Sequence, residues 1–180
     1  MNLLTLDLAA SIGWSSGPLP DPAFTYGTAR LKPDGTNLGA YLASYADWLH
    51  DKIDTDSVSY IVFEAPVMPR FTSITTLRQL YGLTGLTELI AHSRQIKCRE
   101  ANISSIRKMV CGTGQRKKVD VVRLIKLSGY AVQTDDEADA IAVRLYVIGK
   151  EHPELMKKFR LDLGPIGMQS GSARAIPRSP

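Results

Sequence analysis

The stretch "VQTDDEADAIAVRLYVIG", residues 132–149, joins a strongly acidic start to an apolar run. Thr134 is followed three residues later by Glu137, which fits a capping box, so we predict that Thr134 is the N-cap of a helix over residues 135–149. The rest of the helix is small or apolar, as is typical of a helix packed on a core. Carboxylates are costly to bury without a positive partner, so the acidic start needs an explanation.

The acids at the start of this helix have two explanations, and each accounts for some of them. Acidic residues in a first helical turn complement the helix dipole, and this accounts for Asp135, Asp136 and Glu137 without any site. Asp139 lies deeper, between two alanines, and the dipole explains it poorly. Asp136 and Asp139 are three residues apart and therefore share one face near the helix N-terminus. The small alanines around them would let that face come close to a sheet.

The remainder of the chain alternates between strand and helix patterns. Three short segments separated by turns predict an antiparallel meander, and later segments alternate helical spacing with β-branched or apolar runs. The predicted strands cover residues 2–9, 13–17, 24–31, 59–66 and 96–102, and the predicted helices cover residues 37–54, 74–95, 103–110, 116–129 and 135–149. This order predicts an α/β domain with a mixed sheet covered by helices.

Two further acids lie where predicted strands end. Asp7 is near the end of the first strand, and Glu64 is at the end of the fourth. Polar residues outside strand ends of an open α/β sheet are candidates for a binding site. An Asp after a strand is also a common turn former, whereas strands disfavour Glu, so Glu64 is harder to explain structurally. If the two strands are neighbours, these acids repel each other unless a cation lies between them.

Asp7, Glu64, Asp136 and Asp139 together would form a cluster with only oxygen ligands. Such a set suits Mg²⁺ or Mn²⁺ rather than zinc. Two such ions about 4 Å apart can activate a water and stabilise the leaving oxygen of a phosphodiester. The four acids therefore predict a metal site for phosphodiester chemistry.

Composition narrows the class of protein. The chain has 180 residues, 44% of them hydrophobic, which suits one globular domain, and its net charge of +4 with a pI near 9.1 is compatible with nucleic acid. It has no apolar run of about 20 residues and no basic n-region, so we expect neither a membrane span nor a secretory signal. Two cysteines favour a reduced, cytoplasmic protein.

Residues 1–151 are the predicted domain, and residues 152–180 are a predicted flexible basic tail.

Four motifs carry a resemblance to a known family. In chain order they are "LLTLDLAASIGWS" (3–15), "IVFEAP" (61–66), "VCGTGQRKKVDVV" (110–122) and "DDEADAIAV" (135–143). Together they resemble the RuvC family of Holliday-junction resolvases, within the ribonuclease H-like superfamily. The forms of the first and last motifs look most like divergent relatives found in bacteriophages and prophages.

The resemblance implies a ribonuclease H-like fold, a five-stranded mixed sheet with helices on both sides. It also implies a homodimer in the bacterial cytoplasm or nucleoid that cuts branched DNA, such as a four-way junction, symmetrically with Mg²⁺ or Mn²⁺. Asp7, Glu64, Asp136 and Asp139 match the family's metal-binding acids. Lys118 matches the lysine of the loop-helix motif and is counted with the catalytic residues.

The candidate DNA-binding residues surround these motifs in the sequence. Basic side chains near metal-bound acids would hold the phosphate backbone, and an aromatic would stack on an unpaired base. They are Arg70, Phe71, Arg107, Arg116, Lys117 and Lys118. A core position for Phe71 and a solvated first helical turn for residues 116–118 are the alternatives. A helix near residues 77–91 builds the dimer in the family, although its spacing alone favours core packing.

Three other functions remain open. The chain could be a DNA-junction-binding module without catalysis, or a ribonuclease H acting on RNA–DNA hybrids. The first motif also resembles a phosphate motif of the actin and sugar-kinase superfamily, but that architecture needs two such domains.

Overall fold

The computed structural model describes residues 1–21, 23–31, 37–67, 73–115 and 117–155. The predicted DNA contacts Arg70, Phe71 and Arg116, and all but the first four residues of the predicted tail, lie outside the described residues. The division at residue 151 stays a prediction, although the last helix ends there.

The described residues form five strands and five helices in the predicted order. The strands are β1 (Asn2–Asp7), β2 (Ser11–Pro18), β3 (Thr25–Arg30), β4 (Tyr60–Glu64) and β5 (Lys97–Ala101). The helices are α1 (Leu38–Thr55), α2 (Ile74–Ser93), α3 (Ile103–Cys111), α4 (Lys118–Leu127) and α5 (Asp135–Glu151). The second strand is longer than predicted, and α2 is shorter because Gln95 adopts a left-handed conformation with φ of 56°.

The five strands form one mixed sheet in the order β3-β2-β1-β4-β5. β1 and β2 pair antiparallel, as do β2 and β3, which confirms the meander. β4 pairs parallel with both β1 and β5. Parallel neighbours need a crossover connection, and α1 and α2 supply the two crossovers here. The predicted α/β class, with a five-stranded mixed sheet flanked by helices, is confirmed.

Hydrophobic cores lie on both faces of the sheet. Leu4 and Leu6 of β1 pack with α1 and α2, whereas Leu3 packs with the other three helices on the opposite face. Successive residues of β1 thus point to opposite faces, and both faces are covered. This double burial explains why β1 reads as an almost continuous apolar run.

Helix α5 lies very close to the sheet. Its alanines Ala138, Ala140 and Ala142 are buried, as predicted for a helix that approaches a sheet closely. On the sheet side the contact is made by Gly13 of β2, where a Cβ atom would lie 2.0 Å from the carbonyl oxygen of Asp136. The start of α5 is therefore placed by backbone-to-backbone contact.

Arg144 is a fully buried cation in the apolar part of α5. Its guanidinium donates to the carbonyl of Leu3 at 3.2 Å and to that of Pro18, and lies 4.4 Å from the ring centre of Phe24. Burial lowers the pKa of Arg144 to about 10. It joins α5 to β1 and to the end of β2, a role that the apolar pattern of this helix did not predict.

Within the described part of the chain, no helix is both long enough and apolar enough to cross a bilayer.

Candidate active site

Asp7 and Glu64 lie at the carboxyl ends of the two central parallel strands. Leu6 of β1 pairs with Phe63 of β4, and the two acids are the next residue on each strand. Asp7 is buried, with 9% of its surface exposed, and Glu64 is partly buried. Both acids therefore end neighbouring strands, which the sequence had left as a condition.

Helix α5 adds its acids to the same end of the sheet. The Thr134 hydroxyl accepts from the Glu137 amide at 3.1 Å, and the Glu137 carboxylate accepts from the amides of Gln133 and Thr134 at 2.7 and 3.4 Å. The predicted capping box is therefore present. It occupies the Glu137 carboxylate and so separates this acid from Asp136 and Asp139, whose charges act on Asp7 of β1.

The charges of the predicted acids act on one another. Burial raises the pKa of Asp7 well above its usual value, and the charges of Asp139, Glu64 and Asp136 raise it further. Burial, followed by the charge of Asp139, raises the pKa of Glu64 to about 7. Burial also raises the pKa of Asp139, against the opposing effect of Lys118. The structure thus brings all four predicted acids into one electrostatically coupled cluster.

Lys118, the first residue of α4, lies inside this cluster. Its ammonium is 3.0 Å from Asp139 Oδ2, 3.0 Å from Asp135 Oδ2 and 3.7 Å from Asp136 Oδ1. Burial alone would lower the pKa of Lys118, but its hydrogen bonds with Asp139 and Asp135 and the charge of Asp7 raise it. Sequence reasoning named a metal ion as the positive partner of these aspartates, and the structure places an ammonium beside them.

Two contacts of the acids escaped sequence reasoning. The Ser11 hydroxyl, at the start of β2, donates to Asp136 Oδ2 and fixes one oxygen of that carboxylate. The helix dipole alone explains Asp135 in the sequence, whereas in the structure this acid also binds Lys118. Ser11 lies within the first quoted motif, but nothing in a single sequence distinguishes it from an ordinary turn serine.

Arg107 of α3 lies close enough to the acids to act on them. Its charge opposes the raised pKa of both Glu64 and Asp139. Lys117 is exposed at the N-cap of α4, where its amide donates to Asp120 Oδ2 at 3.2 Å. The structure therefore brings Arg107 to the acids and leaves Lys117 on the surface beside Lys118.

Helices α3 and α4, which bring Arg107 and Lys118 to the acids, also carry a basic surface. Residues 103–129, which include α3 and α4, contain seven Lys or Arg residues and a single Asp. Four of these basic side chains are exposed: Lys108, Lys117, Arg123 and Lys126. Cations placed beside buried acids can bind a polyanion whose phosphates would otherwise be repelled.

The chemistry of the four acids fits a hard divalent cation. All donors are carboxylate oxygens, which Mg²⁺ and Mn²⁺ prefer, and a cation between the acids would relieve the repulsion that Asp139 exerts on Asp7 and Glu64. As the side chains stand, no three His, Cys, Asp or Glu residues within the described ranges form a group that could hold a metal ion. The ammonium of Lys118 is bound to two of the four acids in this arrangement.

At the level of sequence, no protein-family model and no curated protein matches this chain. Solved structures do match it. A structure of Thermus thermophilus RuvC has a TM-score of 0.67 at 12% identity and covers 85% of this chain and 97% of its own. T. thermophilus RuvC in complex with a Holliday junction substrate has a TM-score of 0.65 at 10% identity and covers 84% and 97%.

The yeast mitochondrial Holliday junction resolvase is a third similar structure. Its TM-score is 0.60 at 11% identity, with 88% of this chain and 84% of the yeast chain covered. At these identities the likeness concerns the fold. The strand order, the helices on both faces and these three structures together show that the chain has a RuvC-like fold of the ribonuclease H type, as the sequence resemblance implied.

Proposed function

We propose that this protein is a metal-dependent endodeoxyribonuclease that resolves four-way junctions and other branched DNA by paired phosphodiester cleavage. The observation that carries the proposal is the convergence of four acids from β1, β4 and α5 at one sheet end. The helices that carry the basic surface bring Arg107 and Lys118 to these acids, on a fold shared with a junction resolvase. Such an enzyme would work in the bacterial cytoplasm or nucleoid, in a host or during phage infection.

Asp7, Glu64, Asp136 and Asp139 would hold the metal, which we propose to be two Mg²⁺ or Mn²⁺ ions. When bound, these ions would supply an acidified water and charge stabilisation at the scissile phosphate. Ser11 keeps the Asp136 carboxylate in one orientation. Lys118 and Arg107 would contact phosphate oxygens at the edge of the cluster.

The DNA would lie across the basic surface of α3 and α4. Lys117 and Lys118 are placed where this surface meets the acids, and Arg70, Phe71 and Arg116 remain predicted contacts. The T. thermophilus RuvC complex with a Holliday junction substrate supports a branched partner, because that protein has the same fold. Phosphate contacts of this kind position DNA without reading its sequence.

Paired cleavage requires two active sites, and one face of α2 offers a surface for a second copy. Leu83 and Ile90 are buried against the core, whereas Ile74, Tyr81 and Leu89 are 70%, 50% and 62% exposed. The three exposed residues are seven and eight positions apart and so follow one side of the helix. We therefore propose a homodimer built through this exposed side of α2. The opposite side of the helix packs on the core, as its residue spacing predicted.

A cleavage assay on a four-way junction, a Y-fork, a flap, a linear duplex and an RNA–DNA hybrid tests the proposed function. We expect metal-dependent cutting of the junction at paired positions and none in excess EDTA. Preference for the hybrid would favour a ribonuclease H activity. Cutting undiminished by EDTA would contradict the metal mechanism.

A junction-binding module without catalysis is the second candidate. It is favoured by the ion pairs of Lys118, which neutralise part of the cluster, and by the lack of a ready-made metal group in the described residues. Tight junction binding with no cutting in either Mg²⁺ or Mn²⁺ would select this alternative.

A further inference from the structure

One ammonium is shared between an outer and an inner carboxylate. Lys118 Nζ lies 3.0 Å from both Asp135 Oδ2 and Asp139 Oδ2. The Asp135 side chain is 57% exposed, whereas that of Asp139 is 13% exposed. Two carboxylates at equal distance give Lys118 one partner at the surface and one within the cluster.

A divalent cation would compete with Lys118 for the inner acids. Asp136 and Asp139 are proposed metal ligands and are also within 4 Å of the ammonium. Two cations that share the same carboxylate oxygens repel each other strongly in a partly buried site. Metal binding would therefore require Lys118 to leave Asp139. That exchange would be less favourable if Lys118 had no other acidic partner.

Asp135 is placed to receive the displaced lysine. It already binds the ammonium, so Lys118 needs only to shift toward a carboxylate that it touches. Its exposed position in the first turn of α5 keeps it at the rim of the cluster. From there the ammonium would still point toward a phosphate held over the acids.

We propose that Asp135 is a positioning residue that retains Lys118 at the rim of the acidic cluster when a divalent cation binds to the inner acids. This inference rests on the proposed metal-dependent function and adds a residue to it. The inference requires the interaction between Asp135 and Lys118 to be stronger when metal is bound. In that state the metal would occupy Asp136 and Asp139, and Asp135 would be the remaining acidic partner of the ammonium.

Titration of the full chain with Mn²⁺ by calorimetry, without DNA, tests this inference through a double-mutant cycle. The variants are Asp135→Asn, Lys118→Met and their combination. We expect Asp135→Asn to weaken Mn²⁺ binding about fivefold when Lys118 is present and less than about twofold in the Lys118→Met background. Asp135→Glu keeps the charge and should restore most of the loss.

Controls separate this effect from a general loss of charge. Asp51→Asn removes one exposed carboxylate from α1, on the opposite face of the sheet, and should leave Mn²⁺ binding unchanged. Thermal melts of each variant check that the fold is intact. Equal weakening by Asp135→Asn in both backgrounds, or greater weakening without Lys118, would overturn the inference.

The proposed function and this inference can fail separately. If the wild-type chain binds Mn²⁺ and cuts junctions but the cycle is additive, only the role of Asp135 is wrong. If the wild-type chain shows neither saturable Mn²⁺ binding nor cutting, the metal mechanism falls and the inference falls with it.

Discussion

Gly13 of β2 and Asp136 of α5 are in direct backbone contact, and this contact sets the position of the acidic helix. A Cβ atom at Gly13 would lie 2.0 Å from the Asp136 carbonyl oxygen and 2.4 Å from its carbonyl carbon. Both neighbours are backbone atoms, so no side-chain rotation can relieve the overlap. The same close approach brings Asp136 within reach of the Ser11 hydroxyl two residues earlier on β2.

We predict that Gly13→Ala destabilises the protein by about 2 kcal/mol or more, because overpacking forces a backbone shift. Chemical denaturation measures the free energy of unfolding, and the junction assay should show reduced cutting. Gly39→Ala is the matched control, since its Cβ would meet only the Asn37 side chain at 3.4 Å. It should be neutral or stabilising by up to about 1 kcal/mol. A Gly13→Ala protein of unchanged stability would refute the close contact.

Asp7→Asn should abolish cutting while leaving junction binding intact, because it removes one proposed metal ligand. It should also raise stability at neutral pH, since burial and three neighbouring acids disfavour the charged form of Asp7. Gel-shift assays measure binding of one junction, cleavage assays measure its cutting, and thermal melts measure stability. Full activity of Asp7→Asn would remove the proposed mechanism.

Stability without metal should fall as the pH rises from about 4.5 to about 7. The pKa of Glu64 is raised from 4.5 to about 7 in the folded protein, so folding favours the protonated form. The stabilisation is present below the unfolded pKa and is lost as the pH passes through the folded pKa.

Unfolding at pH 5 and at pH 7.5 in EDTA measures this loss. Glu64→Gln should reduce the difference between the two pH values by an amount on the order of 1–3 kcal/mol. Glu88→Gln, on the exposed side of α2, should retain the wild-type difference. Identical pH profiles for wild type and Glu64→Gln would show that Glu64 is not perturbed.

Ser11→Ala should weaken Mn²⁺ binding about tenfold and slow cutting without abolishing it. The hydroxyl orients one oxygen of Asp136, and groups that orient metal ligands typically contribute this much. Calorimetry measures the Mn²⁺ affinity, and the cleavage assay measures the rate of cutting. Ser93→Ala at the end of α2 is the control and should behave as wild type. Unchanged Mn²⁺ affinity in Ser11→Ala would show that Asp136 needs no such support.

Leu89→Asp should convert the proposed dimer to a monomer, because it places a charge on the exposed apolar side of α2. Light scattering after size-exclusion chromatography reads the mass, and paired cuts in one junction should become unpaired. Leu127→Asp is the control for the mass measurement alone, since Leu127 is similarly exposed, at 56%, but lies on α4, which belongs to the proposed DNA surface. A Leu89→Asp protein with wild-type mass would place the contact elsewhere.

Local patterns predicted most of the fold and four acids of the candidate site. The Thr134–Glu137 capping box spans four consecutive residues, so its chemistry is visible in the sequence, and the structure confirms it. Glu64 was conspicuous because a strand seldom carries a Glu among buried neighbours. The order of strands and helices could also be predicted, because the spacing of apolar residues and the turn residues are patterns that lie within a few residues of one another.

The sequence by itself determined the α/β order, the helix start at Thr134 and the four acids. Only the tertiary structure decided which distant groups meet them. Ser11 binds a carboxylate 125 positions away, Arg144 binds a carbonyl 141 positions away, and Lys118 enters the cluster only because α4 packs beside α5. The physical reason is distance along the chain: caps and periodicity act between near neighbours. Charge pairing and backbone contact at the site depend on how sheet and helices are brought together.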